Sequence, residues 1–231
     1  MNRKLEIIYE DSDMLVCNKP AGIAVQSRRA GEVDLESMVR NLIIKRTGDP
    51  NSFSAPVHRL DQPVEGLVLF AKTKKAAVAL SEQFRLHTVQ KYYLAIVDGI
   101  FEEKEGMLVD WLKRADTGNR SRVVSPNDPD AKRSQLKYRV LVEEEGRQLL
   151  EIHLLTGRHH QIRVQMHHAG HPIIGDACYH PDYAKSYPKC YPALCAYRLE
   201  IERAFDKKHM HFLIQPSEPS FRRMAAGIRQ F

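Results

Sequence analysis

The chain has 231 residues, 43% of them hydrophobic, which is enough for one large domain or two small ones and excludes a disordered polymer. With 35 Lys and Arg against 29 Asp and Glu, the net charge is +6, a mild excess that suits a polyanionic partner without requiring one. The opening stretch MNRKLEIIYEDSDM has no apolar core of signal-peptide length, and no run reaches the roughly 20 apolar residues of a membrane span. A cytoplasmic protein with no membrane partner is therefore expected. Its four cysteines, Cys17, Cys178, Cys190 and Cys195, lack CxxC spacing and are expected to be free thiols.

Leu5–Tyr9 and Met14–Asn18 read as strands joined by a turn at Glu10–Asp13, and Lys19-Pro20-Ala21-Gly22 as a tight turn. Leu35, Met38, Val39 and Leu42 recur at helical spacing, which predicts a helix over Asp34–Arg46 with Asp34 as N-cap. Thr47–Ala55 is a loop by composition. The apolar run Gly66–Ala71 predicts a buried strand, followed by a helix over Lys74–His87. Further strands are expected at Val89–Val97, Met107–Leu112, Leu136–Val142 and Leu149–Leu155, the last two joined across Glu145-Gly146. Arg114–Ser134 has almost no apolar periodicity and is dense in arginine. It reads either as a solvated hairpin arm or as an arm that grips phosphates.

A helix is predicted over Arg158–Ala169, with Gly170 as its stop. Its faces would separate Ile162, Met166 and Ala169 from His160, Arg163 and His167. Tyr191–Ile201 and His209–Ile214 read as strands and Glu218–Gln230 as a closing helix. Neighbouring strands joined by short turns favour an α+β fold over a doubly wound parallel sheet.

The chemistry concentrates at His58-Arg59-Leu60-Asp61, just before the buried strand. From the residues alone, Asp61 is either a salt-bridged structural carboxylate or a poised reactive one. The histidines His159, His160, His167, His168, His171 and His180, with Cys178 near, invite a metal reading. None of the tight pairings of a zinc site occurs among them, and no metal is expected.

The HRLD motif, with its following Gly and strand, resembles the catalytic motif of the RluA-type RNA pseudouridine synthases. LEIIYEDSDMLVCNKPAGIAVQ resembles that family's opening motif, VQKYYLAIVDG its middle motif, and LLTGRHHQIRVQMHHAGHPIIGDACY its last. The matches run in order from Leu5 to Tyr179. The resemblance implies a mixed, largely antiparallel α+β sheet with flanking helices and loops. It implies one catalytic domain over residues 1–231, without a separate RNA-binding module ahead of it. The implied reaction isomerises uridine in RNA, ribosomal or transfer, and needs no cofactor, since nothing is oxidised or reduced.

By the resemblance, Asp61 is the catalytic aspartate, Tyr93 the active-site tyrosine and Arg163 the basic residue paired with the aspartate. Arg158 is a competing candidate for that pairing and otherwise a substrate contact. Arg59 looks like the arginine that enters the stack where the target base leaves, and Leu60 would wall the site. Arg120 and Arg122, with Arg28, Arg29 and the rest of the Arg114–Arg133 arm, would hold phosphates. A monomer with no obligate protein partner is expected.

The chain departs from the family pattern at three places. Val64-Glu65-Gly66 stands where Thr-Ser-Gly is common, so Glu65 either alters the pocket or faces solvent. His159 stands where Thr or Ser is common, and the last motif closes in CYHPDY. A non-catalytic RNA-binding or ribosome-assembly factor is the rival reading. Asp61 argues against it, because a pure binder of a polyanion has no use for a carboxylate there.

Overall fold

The structure, a computed structural model, describes residues 5–27, 29, 31–184 and 190–224. In chain order its elements are β1 (Glu6–Glu10), β2 (Met14–Lys19), α1 (Leu35–Thr47), β3 (Ala55–Pro56), β4 (Glu65–Ala71), α2 (Lys74–Arg85), β5 (Gln90–Asp98), β6 (Glu105–Arg114), β7 (Ser121–Val123), β8 (Lys132–Glu144), β9 (Arg147–Leu154), α3 (Gln161–His168), β10 (Leu194–Glu202), β11 (His209–Leu213) and α4 (Pro219–Met224). The chain divides into two compact units. The first takes the residues up to Gln90 together with Tyr197–Ile214; the second takes Lys91–Ala196 and the residues from Gln215 onward.

In the first unit the strands lie in the order β1, β2, β4, β10, with β11 on β10 and β3 on β4. The β1–β2 turn is tied by Asp11, whose carboxylate accepts the backbone N–H of Asp13 and Met14, both at 2.8 Å. Every residue of β4 is buried, which is why its sequence is one apolar run rather than an alternation. Glu65 opens that strand and is buried with it, so the solvent-facing alternative for this residue is excluded. Helix α1 buries Leu35, Val39 and Ile43, one stripe at four-residue spacing. Asp34 caps it as the sequence predicts: its side chain accepts Ser37 N–H, and the Ser37 side chain answers the Asp34 backbone in a capping box.

In the second unit the order is β5, β9, β8, β6, β7, with antiparallel registers throughout. The β8–β9 hairpin closes through Glu145 and Gly146, both with positive φ (51° and 76°), the geometry a two-residue hairpin loop demands. The arginine-dense segment is a hairpin arm: β6 extends to Arg114, β7 folds back on it with Arg122 opposite Lys113, and β8 begins at Lys132. Among the described residues no helix is long and apolar enough to cross a membrane.

One helix is shorter than its periodicity suggests, and the closing helix is described only in part. The closing helix is described over Pro219–Met224, and the remainder of the predicted span lies outside the described residues. Helix α3 begins at Gln161, not Arg158. Arg158 precedes it and donates its backbone N–H to Gln161 Oε1 at 3.0 Å, while His160 sits in the left-handed region (φ 54°) as the N-cap. The predicted two-faced helix is also corrected: Gln161 through Met166, Arg163 included, are all buried.

Replacing Asp34 with Ala removes the half of the capping box that its carboxylate makes with Ser37 N–H. Chemical denaturation should show a loss of about 1 kcal/mol.

Candidate active site

Asp61 stands on the turn that leads into β4, between the buried Leu60 and the exposed Gln62. Its side chain is partly exposed, and its carbonyl accepts Val64 N–H at 3.1 Å. His58 braces the approach: its Nε2 accepts Leu69 N–H at 3.1 Å, and its ring stacks on Phe84 with centroids 4.7 Å apart. Arg59 is exposed.

The residue after Asp61 is held by a clamp. Lys19, the last residue of β2, is fully buried. Its Nζ donates to the carbonyls of Pro20 at 3.1 Å, Ile23 at 2.8 Å and Gln62 at 3.0 Å, so all three N–H groups of the ammonium have an acceptor. Gly22 adds two bonds: its N–H donates to Gln62 O at 2.9 Å, and its carbonyl accepts Gln62 Nε2 at 3.1 Å. The Lys-Pro-Ala-Gly turn is thereby tied to the backbone beside Asp61. Opposite Lys19 in the β2–β4 register stands Gly66, at φ 137°, a backbone conformation that a side chain would strain. Burial pulls the Lys19 ammonium down to about 7, against the charges of Asp61 and then Glu65, which draw it upward.

Apart from Arg28 and Arg29, the other predicted site residues belong to the second unit. Tyr93 is a buried residue of β5, opposite Ile152 of β9. Tyr92 points to the other face and stacks on His153 at 4.5 Å. Lys91, two residues before Tyr93, shares its face; burial, and then the charge of Arg158, pull its ammonium down to about 8. Arg158 is exposed, with Nε 3.4 Å from Arg133 O. Arg120 and Arg122 are exposed on the arm, and Arg122 lies 3.9 Å from Asp116. Arg29 is exposed, and Arg28 lies outside the described residues.

Arg163 is 4% exposed, and Asp176 is fully buried. They meet bidentately: Nε donates to Oδ2 and Nη2 to Oδ1, both at 2.7 Å. Asp176 Oδ1 also accepts Cys178 N–H at 2.9 Å and Tyr179 N–H at 3.3 Å, so the carboxylate ties α3 to the loop that closes the last motif. The Arg163 guanidinium lies 5.3 Å from the centroid of the Tyr179 ring. The Tyr179 hydroxyl accepts Ser121 N–H at 2.7 Å and is 2.9 Å from His160 Nδ1. Burial, and then the Arg163 charge, push the His160 imidazole down to about 2, so it is neutral. His159, at the position where the family often has a hydroxyl, reaches Ser121 Oγ (2.9 Å) and Asn119 Oδ1 (3.1 Å) and so ties the start of α3 to the arm.

Sequence reasoning did not single out Lys19, Lys91, Asp176 or Tyr179. A lysine two residues before Tyr93 was the available signal for Lys91. Asp176 stands inside the last motif, but its partner is thirteen residues away on a helix. Among the described residues, the one group whose ligand atoms converge as a metal site would need is Asp98, His180 and Asp182. There Asp98 already binds Arg147 (2.8 Å) and His180 (2.7 Å), and His180 Nδ1 accepts Asp182 N–H at 3.2 Å.

A family model described as RNA pseudouridylate synthase matches residues 13–168. The chain is 34% identical, over 214 residues, to a protein of Zymomonas mobilis subsp. mobilis named ribosomal large subunit pseudouridine synthase D, covering 90% of this chain and 65% of that one. It is 35% identical, over 185 residues, to a Vibrio cholerae protein named dual-specificity RNA pseudouridine synthase RluA, covering 78% and 70%. The chain thus spans about two thirds of the length of these relatives. Among solved structures, the human protein RNA pseudouridylate synthase domain containing 4 shares the fold, with a TM-score of 0.77 at 21% identity over 92% of this chain and 89% of that one.

Truncating Asp176 to Ala leaves a cation in a site built for an ion pair. Equilibrium unfolding should register a loss of about 3 kcal/mol, far above that of a surface substitution. For Lys19 the sign follows from linkage. Between about 7 and 10.5 the unfolded chain carries a proton on this lysine that the folded chain has lost. Wild-type stability relative to Lys19→Met should therefore rise with pH across that window, as denaturant titrations at several pH values will show.

Proposed function

Because the chain belongs to the RNA pseudouridylate synthase family, we propose that it isomerises uridine to pseudouridine within RNA. The reaction breaks N1–C1′, rotates the base, and joins C5 to C1′; C5 loses a proton and N1 gains one. Asp61 acts at C1′, either adding to the sugar or drawing a proton from it. Arg163 keeps that carboxylate ionised and directed. A guanidinium has five N–H donors, and Asp176 accepts two of them, fixing the plane of the group while it serves Asp61. Tyr93 stacks on the uracil and takes part in proton transfer. Arg59 fills the gap left by the flipped base, and Leu60 walls the pocket.

The observation that carries this reading is Asp61: the HRLD aspartate within the matched span, partly exposed on a turn whose next residue is clamped by a buried lysine. A carboxylate held on a rigid backbone with its side chain accessible is what attack at a sugar carbon requires. Lys91 adds positive potential on the Tyr93 face, suited to a polyanionic substrate. Arg120, Arg122 and Arg158, exposed around the arm, supply phosphate contacts. The name of one relative makes large-subunit ribosomal RNA the first substrate to test, and transfer RNA, the other substrate class the motifs leave open, the second. With this reading go a cytoplasmic setting and action as a monomer in one catalytic domain.

The test uses unmodified ribosomal and transfer RNA carrying tritium at C5 of uridine. Wild type should release tritium from one pool, and Asp61→Ala should release it at least roughly a thousandfold more slowly while still binding RNA. RNA bound by wild type with no release from either pool would overturn the catalytic reading and favour an RNA-binding factor.

A further inference from the structure

A cavity lies wholly within the second unit, among β7, α3 and the segment that follows Asp176. Its volume is about 550 Å³, within the range of small-molecule sites. Val123, Val164 and the Tyr179 ring form an apolar floor, continuous with a small core cluster that includes Leu112. That floor is rigid, since the Tyr179 oxygen is bonded to Ser121 and the Arg163 guanidinium lies over the ring. Arg120, Arg122, His167 and His168 stand around the cavity with exposed side chains.

No carboxylate lines this cavity among the described residues. The neighbouring cavity of about 460 Å³ differs: its lining includes Asp116 and Asp130 beside Arg114, Lys132 and Arg158. A rim bearing Arg120 and Arg122, the latter only loosely paired with Asp116 at 3.9 Å, over an apolar floor fits an anion that carries a planar apolar body. A nucleotide has that chemistry: the base stacks on an aromatic or aliphatic wall, and the phosphate meets arginine.

We propose that this cavity holds one nucleotide of the substrate RNA other than the target uridine, its base on the Val123–Val164–Tyr179 floor and its phosphate at Arg120 and Arg122. The assignment rests on the RNA reading above and extends it. The enzyme would engage its RNA at two points, the target at Asp61 and an unstacked neighbour here. Specificity would then depend on how far apart the RNA fold places the two nucleotides.

Cys178 also lines the cavity and reports its occupancy; Cys190 does not line it and serves as the reference. Asp61→Ala protein, which binds without turnover, is treated with N-ethylmaleimide in the presence and absence of the responsive RNA, and labelling at each cysteine is followed by peptide mass spectrometry. Saturating RNA should slow labelling of Cys178 by about tenfold, since such pockets bury most of their ligand. Cys190 should change little. In wild type otherwise unchanged, Val123→Trp should raise KM for the RNA by about tenfold with its thermal transition retained.

RNA that binds while Cys178 stays reactive would overturn the pocket assignment and leave the synthase reading standing. RNA that fails to bind at all would overturn both. Uridine 5′-monophosphate protecting Cys178 as fully as the RNA would assign the cavity to a free nucleotide and overturn its assignment to the substrate.

Discussion

The second unit is organised around one buried ion pair. Taking a guanidinium out of water is costly by several kcal/mol, and the structure offsets that cost with a fully buried carboxylate in bidentate register. The geometry of that bond has consequences on both sides of it. Through Asp176 it fixes the loop bearing Cys178 and Tyr179; through α3 it fixes the helix whose start binds Ser121 and the arginine arm. An isolated lysine could not replace this arginine, because an ammonium offers a point charge where the carboxylate requires a plane.

The first unit solves a related problem differently. Lys19 is as deeply buried as Arg163, yet its hydrogen bonds go to three backbone carbonyls. Carbonyl dipoles hold an ammonium less firmly than a carboxylate does, and burial draws its proton affinity down accordingly. What the chain gains is backbone geometry: three separate points of the main chain converge on one nitrogen. The backbone that carries Asp61 is fixed by one of those points.

Much of the fold was legible because it depends on local rules. The apolar run before Lys72 could only be a buried strand, Asp34 announced a helix start, and Glu145-Gly146 announced a hairpin. The misreadings arose where tertiary contacts override periodicity. Arg163 was placed on a polar face because a helical wheel cannot register an acid thirteen residues downstream. The helix was begun three residues early because the pattern continues through Arg158, whereas the backbone turns left-handed at His160. Glu65 was open between pocket and solvent, and its burial follows from β4 being covered on both faces. The proposed site residues were legible through their motifs, but their supports, Lys19 and Asp176, were not. Support is a property of three-dimensional neighbours, and the sequence records those neighbours only as distant letters.

The division of the first unit has a consequence for synthesis. Its strand β4 is flanked by β2 and β10, and Tyr197–Glu202 of β10 is translated only after all of Lys91–Ala196. At roughly 5–20 residues per second, the nascent chain carries a largely apolar strand with an open edge for several seconds. Such an edge invites pairing with other chains. The chain therefore passes through an interval in which its most hydrophobic segment is made but not yet covered, and a chaperone on the ribosome would find its natural ligand there.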